Sequence, residues 1–232
     1  MNKTTLLTSL LSLAAAASAS AAVIDTFDGD LSNYTSTVIL DANGGGSNTA
    51  NWQITGSSLE LNTTTYDGIE QYAMIYNGLS LTIGQEVQVS LTHNGGNQDL
   101  GLYVGGTVPV TGTRQDYVAV YARGNGQVFS RGFDGVAEYG LAGGSSPTYD
   151  KLFIARTGAN EYELGYYDGV TRSVIVTRTP AAPNDGDVVG FYADVRGAGV
   201  LGNLDTLEVI PEPSIALLGG LGLIGLLRRR RA

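Results

Sequence analysis

The sequence predicts an all-β fold built as an antiparallel sandwich or jelly roll. Three observations predict it. Short segments are rich in Val, Ile, Thr and Tyr, turns of Gly, Asn and Asp separate them, and no long stretch between them has helical periodicity. The 33 glycines among 232 residues fit a chain that turns often.

The predicted strands follow one another closely between residues 34 and 209. In EVQVSL, at 86–91, alternation predicts that Val87, Val89 and Leu91 face the core, whereas Glu86 and Gln88 face outward. In chain order, the predicted strands are 34–40, 58–61, 86–91, 100–104, 117–121, 152–156, 162–167, 173–177, 188–192 and 204–209.

An aromatic-Asp-Gly triplet occurs four times, beginning at Phe27, Tyr66, Phe133 and Tyr167. Asp-Gly favours tight turns because both residues tolerate positive φ. Since the spacings are irregular, the triplets are interpreted as separate strand corners and not as repeat units.

The first 22 residues have the composition of a secretory signal peptide. Lys3 precedes an apolar stretch at 6–17, and small residues at 17–22 offer a cleavage site near 19–22. An apolar stretch of 12 residues is too short for a lasting membrane span. We therefore expect export through the Sec machinery, with a signal helix needed only during export.

The last 22 residues, PEPSIALLGGLGLIGLLRRRRA, combine three parts. Pro211, Glu212 and Pro213 precede a 14-residue apolar run at 214–227, which is short beside the roughly 20 residues of a spanning helix. The run ends at a cationic stop, Arg228, Arg229, Arg230 and Arg231, which predicts insertion with the C-terminus on the cytoplasmic side. An ordinary tail anchor is the alternative.

This order of parts resembles the PEP-CTERM sorting signal of Gram-negative bacteria. The resemblance implies processing by an exosortase, a membrane protease-transpeptidase that cuts near Pro211, Glu212 and Pro213. It further implies an inner-membrane intermediate that is later released or transferred to the cell surface or extracellular matrix. Bacteria with such proteins typically make exopolysaccharide and biofilm.

Between these ends, residues 23–210 form one predicted domain, while 211–232 form the sorting segment. The domain has eight basic and 21 acidic residues, so its net charge is about −13. This balance argues against nucleic acid and anionic lipid as partners, because both need a basic face. It is compatible with Ca2+. No cysteine is present for disulfides, so the core must supply the stability.

Several stretches of this domain resemble the concanavalin A-like lectin and glucanase superfamily, including its laminin-G-like jelly rolls. They are FDG at 27–29, NWQI at 51–54, LEL at 59–61, DLGLYVGG at 99–106, KLFIARTGANEYELGYYDG at 151–169 and the closing 188–209. The resemblance implies a jelly roll in which the last strand returns beside the first. A structural Ca2+ that ties early and late strands is implied too, which would favour Asp25 or Asp28 with Asp205. Solvated turn aspartates are the competing interpretation.

No catalytic residue is predicted. The hydrolases of that superfamily carry Glu-x-Asp-x-x-Glu, which is absent, and the nearest pair, Glu161 and Glu163, is interpreted as two solvated side chains on an outer face. His93 is the only histidine, so a histidine-rich metal site is excluded. Trp52 is expected in the core and not at a sugar.

Three hypotheses for function follow. The leading one is a non-catalytic surface or matrix protein that acts in the extracellular polysaccharide layer through adhesion or structure. The second is a carbohydrate-recognition module, which requires a sheet face with exposed aromatic side chains. The third is a divergent polysaccharide hydrolase, which requires two close carboxylates in a groove.

Overall fold

The structure, a computed structural model, describes residues 21–42, 48–94, 98–180 and 184–211. Residues 1–20 of the predicted signal peptide at 1–22 lie outside the described residues, as does the sorting segment after Pro211. Within the described residues, no helix is long and apolar enough to cross a membrane. The strands are β1 (Ala22–Asp25), β2 (Tyr34–Asp41), β3 (Thr49–Thr55), β4 (Ser58–Thr65), β5 (Glu70–Tyr76), β6 (Gln85–His93), β7 (Asp99–Gly105), β8 (Tyr117–Arg123), β9 (Val128–Phe133), β10 (Ala142–Ser145), β11 (Lys151–Gly158), β12 (Glu161–Asp168), β13 (Thr171–Arg178), β14 (Val188–Val195) and β15 (Gly199–Pro211).

These strands form two antiparallel sheets. The eight-stranded sheet has the order β13-β12-β11-β6-β15-β4-β3, with β1 also paired to β15. The seven-stranded sheet has the order β10-β9-β8-β7-β14-β5-β2. The predicted antiparallel sandwich is therefore confirmed, and its last strand does lie beside its first.

The core lies between the sheets because every second residue of each central strand points inward. Val87, Val89 and Leu91 of β6 belong to it, as predicted. Phe191 of β14 lies there too, and the ring of Trp52 packs against it with centroids 6.4 Å apart. Trp52 thus contributes to the core.

All ten predicted strands are present, and five further strands were missed, namely β1, β3, β5, β9 and β10. β10 has the sequence AGGS, which lacks strand-forming side chains and is paired only through its neighbour β9. β5 is buried at six successive positions, so it has no alternation to detect. Tertiary contacts, and not local preference, create these strands.

The four aromatic-Asp-Gly triplets lie at the ends of β1, β4, β9 and β12. These positions agree with the prediction that the triplets are separate strand corners. Gly135 and Gly169 adopt φ of 90° and 58°. At the first corner the aromatic residue itself takes the positive angle, since Phe27 has φ 54° and is completely buried. Asp25 stabilises this corner by accepting a 2.7 Å hydrogen bond from the Phe27 amide.

Candidate functional site

The outward face of the seven-stranded sheet carries a second apolar cluster, here called the tyrosine face. In β8, Val118 and Val120 point to the core, whereas Tyr117 and Tyr121 point the other way. The members of the tyrosine face are Ile39, Ala73, Ile75, Tyr103, Tyr117, Ala119, Tyr121, Val188 and Tyr192, with Phe129 and Phe133 partly buried against them. Four tyrosines thus lie outside the core and are nevertheless buried.

The aromatic rings of this face contact one another in series. Tyr103 stacks on Tyr117 at 5.0 Å and Tyr117 on Tyr192 at 6.1 Å between ring centroids. Tyr121 lies 5.5 Å from Tyr192 and stacks on Phe129 at 5.9 Å. Offset stacking at these distances stabilises a pair beyond its buried area. The faces of these rings are therefore occupied by contacts with one another.

Glycine on the neighbouring strand makes room for this stack. Gly101 of β7 pairs with Tyr121 on one side and Tyr192 on the other. A Cβ atom at Gly101 would lie 2.0 Å from the Val120 carbonyl oxygen and 2.5 Å from the Tyr121 Cα. No larger residue fits there without moving the strands apart.

The phenol groups of this face are held neutral. Burial raises the pKa of Tyr117 to about 12 and raises the pKa values of Tyr103 and Tyr192 well above the ordinary value of a tyrosine. Within the part of the chain that the structure describes, the buried hydroxyls of Tyr103, Tyr117 and Tyr121 have no hydrogen-bond partner, whereas the Tyr192 hydroxyl accepts a 2.8 Å bond from Arg131 Nη1.

Beside the tyrosine face lies a cluster of charged side chains, here called the arginine–aspartate network: Asp99, Asp194, Arg123, Arg131 and Arg196. The two aspartates are Cα partners on β7 and β14, and both are completely buried. Arg123 binds both oxygens of Asp99, at 2.8 and 3.1 Å. Asp194 accepts from Arg131 Nη1 at 2.9 Å and from Arg196 Nε and Nη2 at 3.0 Å each.

This network binds its carboxylates tightly and leaves its guanidinium groups accessible. Burial raises the pKa of Asp99, while the Arg123 hydrogen bonds oppose that rise. The side chains of Arg123 and Arg196 are 21% and 34% exposed. A guanidinium group that solvent reaches can donate to ligand hydroxyl or carboxylate oxygens, whereas ion-paired aspartates are poorly placed to move protons.

The predicted calcium residues have other partners. Asp25 accepts from the Phe27 amide and, at 2.9 Å, from the Tyr34 hydroxyl, and Asp205 accepts from Ser58 Oγ at 2.6 Å. Asp28 is exposed at the first corner. Among the described residues, no three His, Asp or Glu side chains gather as a metal site would require. Calcium stays a prediction for this chain.

The acidic pair on β12 lies on the outward face of the eight-stranded sheet. Glu163 accepts from Arg172 Nη1 at 2.8 Å, and Glu161 accepts from Thr157 Oγ1 at 2.7 Å. Arg172 Nε also binds Glu86 at 2.8 Å. Glu163 and Glu86 therefore share Arg172 in one ion-pair cluster.

His93 ends β6, and its Nε2 donates to the Gln98 carbonyl oxygen at 2.9 Å. Burial lowers the pKa of His93, which keeps the ring neutral near pH 7.

The sorting motif begins inside the folded domain. Pro211 is the last residue of β15, and its Cα partner is Gln85 of β6. Glu212, Pro213 and the four arginines at 228–231 lie outside the described residues.

The arginine–aspartate network was missed at the sequence level. Its signal is the presence of Asp99 and Asp194 in strands that are otherwise apolar, because a charged residue in a buried strand needs a partner. The sequence does not say which of the arginines supply it.

Comparison with solved structures identifies the class of fold. The exoplasmic/lumenal domain of VIP36 with Ca2+ and Man3GlcNAc superposes with a TM-score of 0.52 at 12% identity, over 82% of this chain and 87% of that one. A pseudo β-1,3-glucanase of Mycobacterium tuberculosis matches with a TM-score of 0.52 at 15% identity, over 81% and 97%. A Bacillus subtilis protein of unknown function with a galectin-like fold matches with a TM-score of 0.51 at 8% identity, over 78% of this chain and 90% of that one. The chain has the fold of these lectin-like sandwiches.

The C-terminal segment is identified by its sequence. The family model for the PEP-CTERM protein-sorting motif matches residues 209–231. The chain therefore carries this motif, which indicates an exported protein that is anchored transiently in the membrane before processing. None of the curated proteins compared with the sequence matches it.

Proposed function

We propose that this protein is an exosortase-processed component of the cell surface or extracellular matrix, and that its sandwich acts without catalysis, by adhesion or structure within an exopolysaccharide layer. The observation that carries the proposal is the sorting motif joined to a lectin-like sandwich without a linker.

Intact-mass spectrometry of the protein from its native host tests the delivery. In the wild-type strain we expect a mass that ends near residues 211–214, whereas a strain without exosortase should retain the arginine tail. If Arg231 and Ala232 persist in both strains, the tail is a plain anchor and the sorting proposal fails.

A carbohydrate-recognition module is the second candidate, and the arginine–aspartate network favours it. Sugar sites combine an aromatic surface with convergent hydrogen-bond donors. Arg123 supplies both, since its partly exposed side chain places the guanidinium 4.7 Å from the ring centroid of the partly buried Phe129. The partly exposed side chain of Arg196, which is bound to Asp194, adds a second donor. The tyrosines themselves are covered and offer no stacking surface.

Binding to the exopolysaccharide of the native host tests this candidate. We expect the processed protein to sediment with the polysaccharide and Arg196→Ala to weaken that binding several-fold. Arg172→Ala is the matched control, because Arg172 is an ion-paired, partly exposed arginine on the other sheet. Equal loss in both variants, or no binding by the wild type, would reject the network as a sugar site.

The proposed absence of catalysis is supported by the hydrogen bonds of the carboxylates. Asp99, Asp194 and Glu163 each accept hydrogen bonds from arginine, whereas a glycosidase needs one carboxyl group placed to protonate the leaving group. A reducing-end assay on β-1,3-glucan should therefore show no hydrolysis above background. Hydrolysis that disappears in Asp194→Asn would overturn this part of the proposal.

A further inference from the structure

Both ends of the described chain lie at one end of the sandwich. β1 begins at Ala22, whose Cα partner is Val209, and β15 ends at Pro211. Because β1 and β15 are antiparallel neighbours, the chain enters and leaves side by side. This end of the molecule is called the terminal end, and the opposite end, where β15 begins at Gly199, the far end.

The tether between the terminal end and the apolar run is very short. Only Glu212 and Pro213 separate Pro211 from residue 214, where the run starts. An extended chain spans at most about 3.6 Å per residue, so these three steps reach about 11 Å. The 13 residues of β15 extend about 43 Å at 3.3 Å per residue. The domain is thus several times longer than its tether.

Exposed aliphatic side chains occur at the terminal end. Ile83, Val108 and Val136 are 57%, 58% and 88% exposed. Ile83 precedes β6, whose first residue pairs with Pro211. Val108 and Val136 follow β7 and β9, whose last residues, Gly105 and Phe133, both pair with Tyr117 at the start of β8. The Leu81 amide donates a 2.7 Å hydrogen bond to the Gly186 carbonyl oxygen. This bond links the two sheets at the terminal end.

We propose that, before processing, the terminal end rests on the bilayer surface with Ile83, Val108 and Val136 at the lipid headgroups. Aliphatic side chains partition favourably into the interfacial region. Attraction by anionic lipid is not required, since the short tether already keeps the terminal end close to the bilayer surface. The long axis of the domain then stands perpendicular to the membrane plane, with the far end away from the bilayer. Because Asp99 and Asp194 lie near the far end, the arginine–aspartate network faces away from the membrane. This orientation depends on the sorting motif and not on sugar binding.

Single cysteines allow a direct test, because the natural sequence has none. The variants are Ile83→Cys and Val136→Cys at the terminal end, with Val170→Cys as the control. Val170 is 97% exposed in the turn between β12 and β13, at the far end. Full-length protein from a strain without exosortase is labelled with an environment-sensitive fluorophore and placed in phosphatidylcholine vesicles that contain a headgroup-quenching lipid.

We expect strong quenching at residues 83 and 136 and several-fold weaker quenching at residue 170. Similar quenching at all three positions, or none at 83 and 136, would overturn the proposed orientation. A further variant carries 20 Gly/Ser residues inserted between Pro211 and Glu212, which lengthens the reach by about 25 Å. Quenching at residue 83 should then fall several-fold, and unchanged quenching would show that the short tether does not hold the domain down.

Discussion

The two sheets of this protein differ in what covers their outward faces. The seven-stranded sheet buries four tyrosines there, stacked in series and flanked by ion-paired aspartates. On the eight-stranded sheet, Arg172 is bound between Glu86 and Glu163 and lies over the buried ring of Phe153. The first face behaves as a second core, whereas the second is a polar face in which Glu86, Gln88 and Phe153 are buried. A two-sheet sandwich can therefore be apolar on three of its four faces.

The burial patterns of single strands show the same difference. All eight residues of β14 are buried, as are all seven of β7, so neither strand alternates in exposure. β13, at the edge of the other sheet, has no buried residue. On β6 the outward residues Glu86 and Gln88 are buried as well, because Tyr167 and Arg172 lie over Glu86 and donate to its carboxylate. Their predicted direction is right, but they do not face solvent.

Truncating one tyrosine on each outward face is the strongest test of this comparison. Tyr192→Ala removes a completely buried ring and its bond to Arg131, so we expect a loss of about 3–5 kcal/mol in the free energy of unfolding. Tyr167→Ala on the other face should cost about 1 kcal/mol. Urea denaturation measures both. Equal losses would mean that the tyrosine face is not a second core.

Removing one carboxylate from each face should have the next largest effect. Asp194→Ala leaves Arg131 without its carboxylate partner and should cost about 3 kcal/mol, because Arg131 is only 13% exposed. In Glu86→Ala, Arg172 keeps Glu163, and we expect about 1 kcal/mol. Thermal and urea unfolding of the two variants provide the measurement. A greater loss of stability in Glu86→Ala than in Asp194→Ala would contradict the larger contribution expected from the face of the seven-stranded sheet.

A glycine substitution tests how closely the strands of the tyrosine face approach. Gly101→Ala introduces a Cβ atom 2.0 Å from the Val120 carbonyl oxygen, and we expect a loss of about 1–3 kcal/mol. Gly29→Ala is the control, since no atom lies within 4 Å of its added Cβ. A stability of Gly101→Ala equal to that of the control would show that the two strands separate freely.

The smallest expected effect concerns the contact between the sheets at His93 and Gln98. Because the pKa of His93 is lowered in the folded state, the unfolded chain binds more protons as the pH falls through about 6.5. The free energy of unfolding should therefore decline on acidification, by less than about 1.4 kcal/mol per pH unit. His93→Gln should remove this part of the decline between pH 7 and 5. If the free energy of unfolding depends on pH in the same way in the wild type and in His93→Gln, His93 is not the cause of the decline.

Much of the fold was predictable because short segments rich in Val, Ile, Thr and Tyr between Gly, Asn and Asp turns mark strands, as in YVAVY at β8. In EVQVSL at β6, alternation also predicted which residues face the core. The tyrosine face was not found, because the same alternation of Tyr with Val occurs whether the tyrosines are half-exposed or buried. The partners of Asp99 and Asp194 were equally hidden. Arg123 reaches Asp99 from the neighbouring strand β8, and Arg131 reaches Asp194 from β9, across the two intervening strands β8 and β7.

The sequence by itself determined the β class, the turns at the Asp-Gly corners and the sorting motif, because each of these depends on residues adjacent in the chain. Only the tertiary structure decided that the tyrosines form a buried outward face, that the aspartates are paired with arginines, and that Ala22 and Pro211 lie at the same end. Those features depend on strand order, which joins residues up to about 190 positions apart, and local preferences carry no information about it.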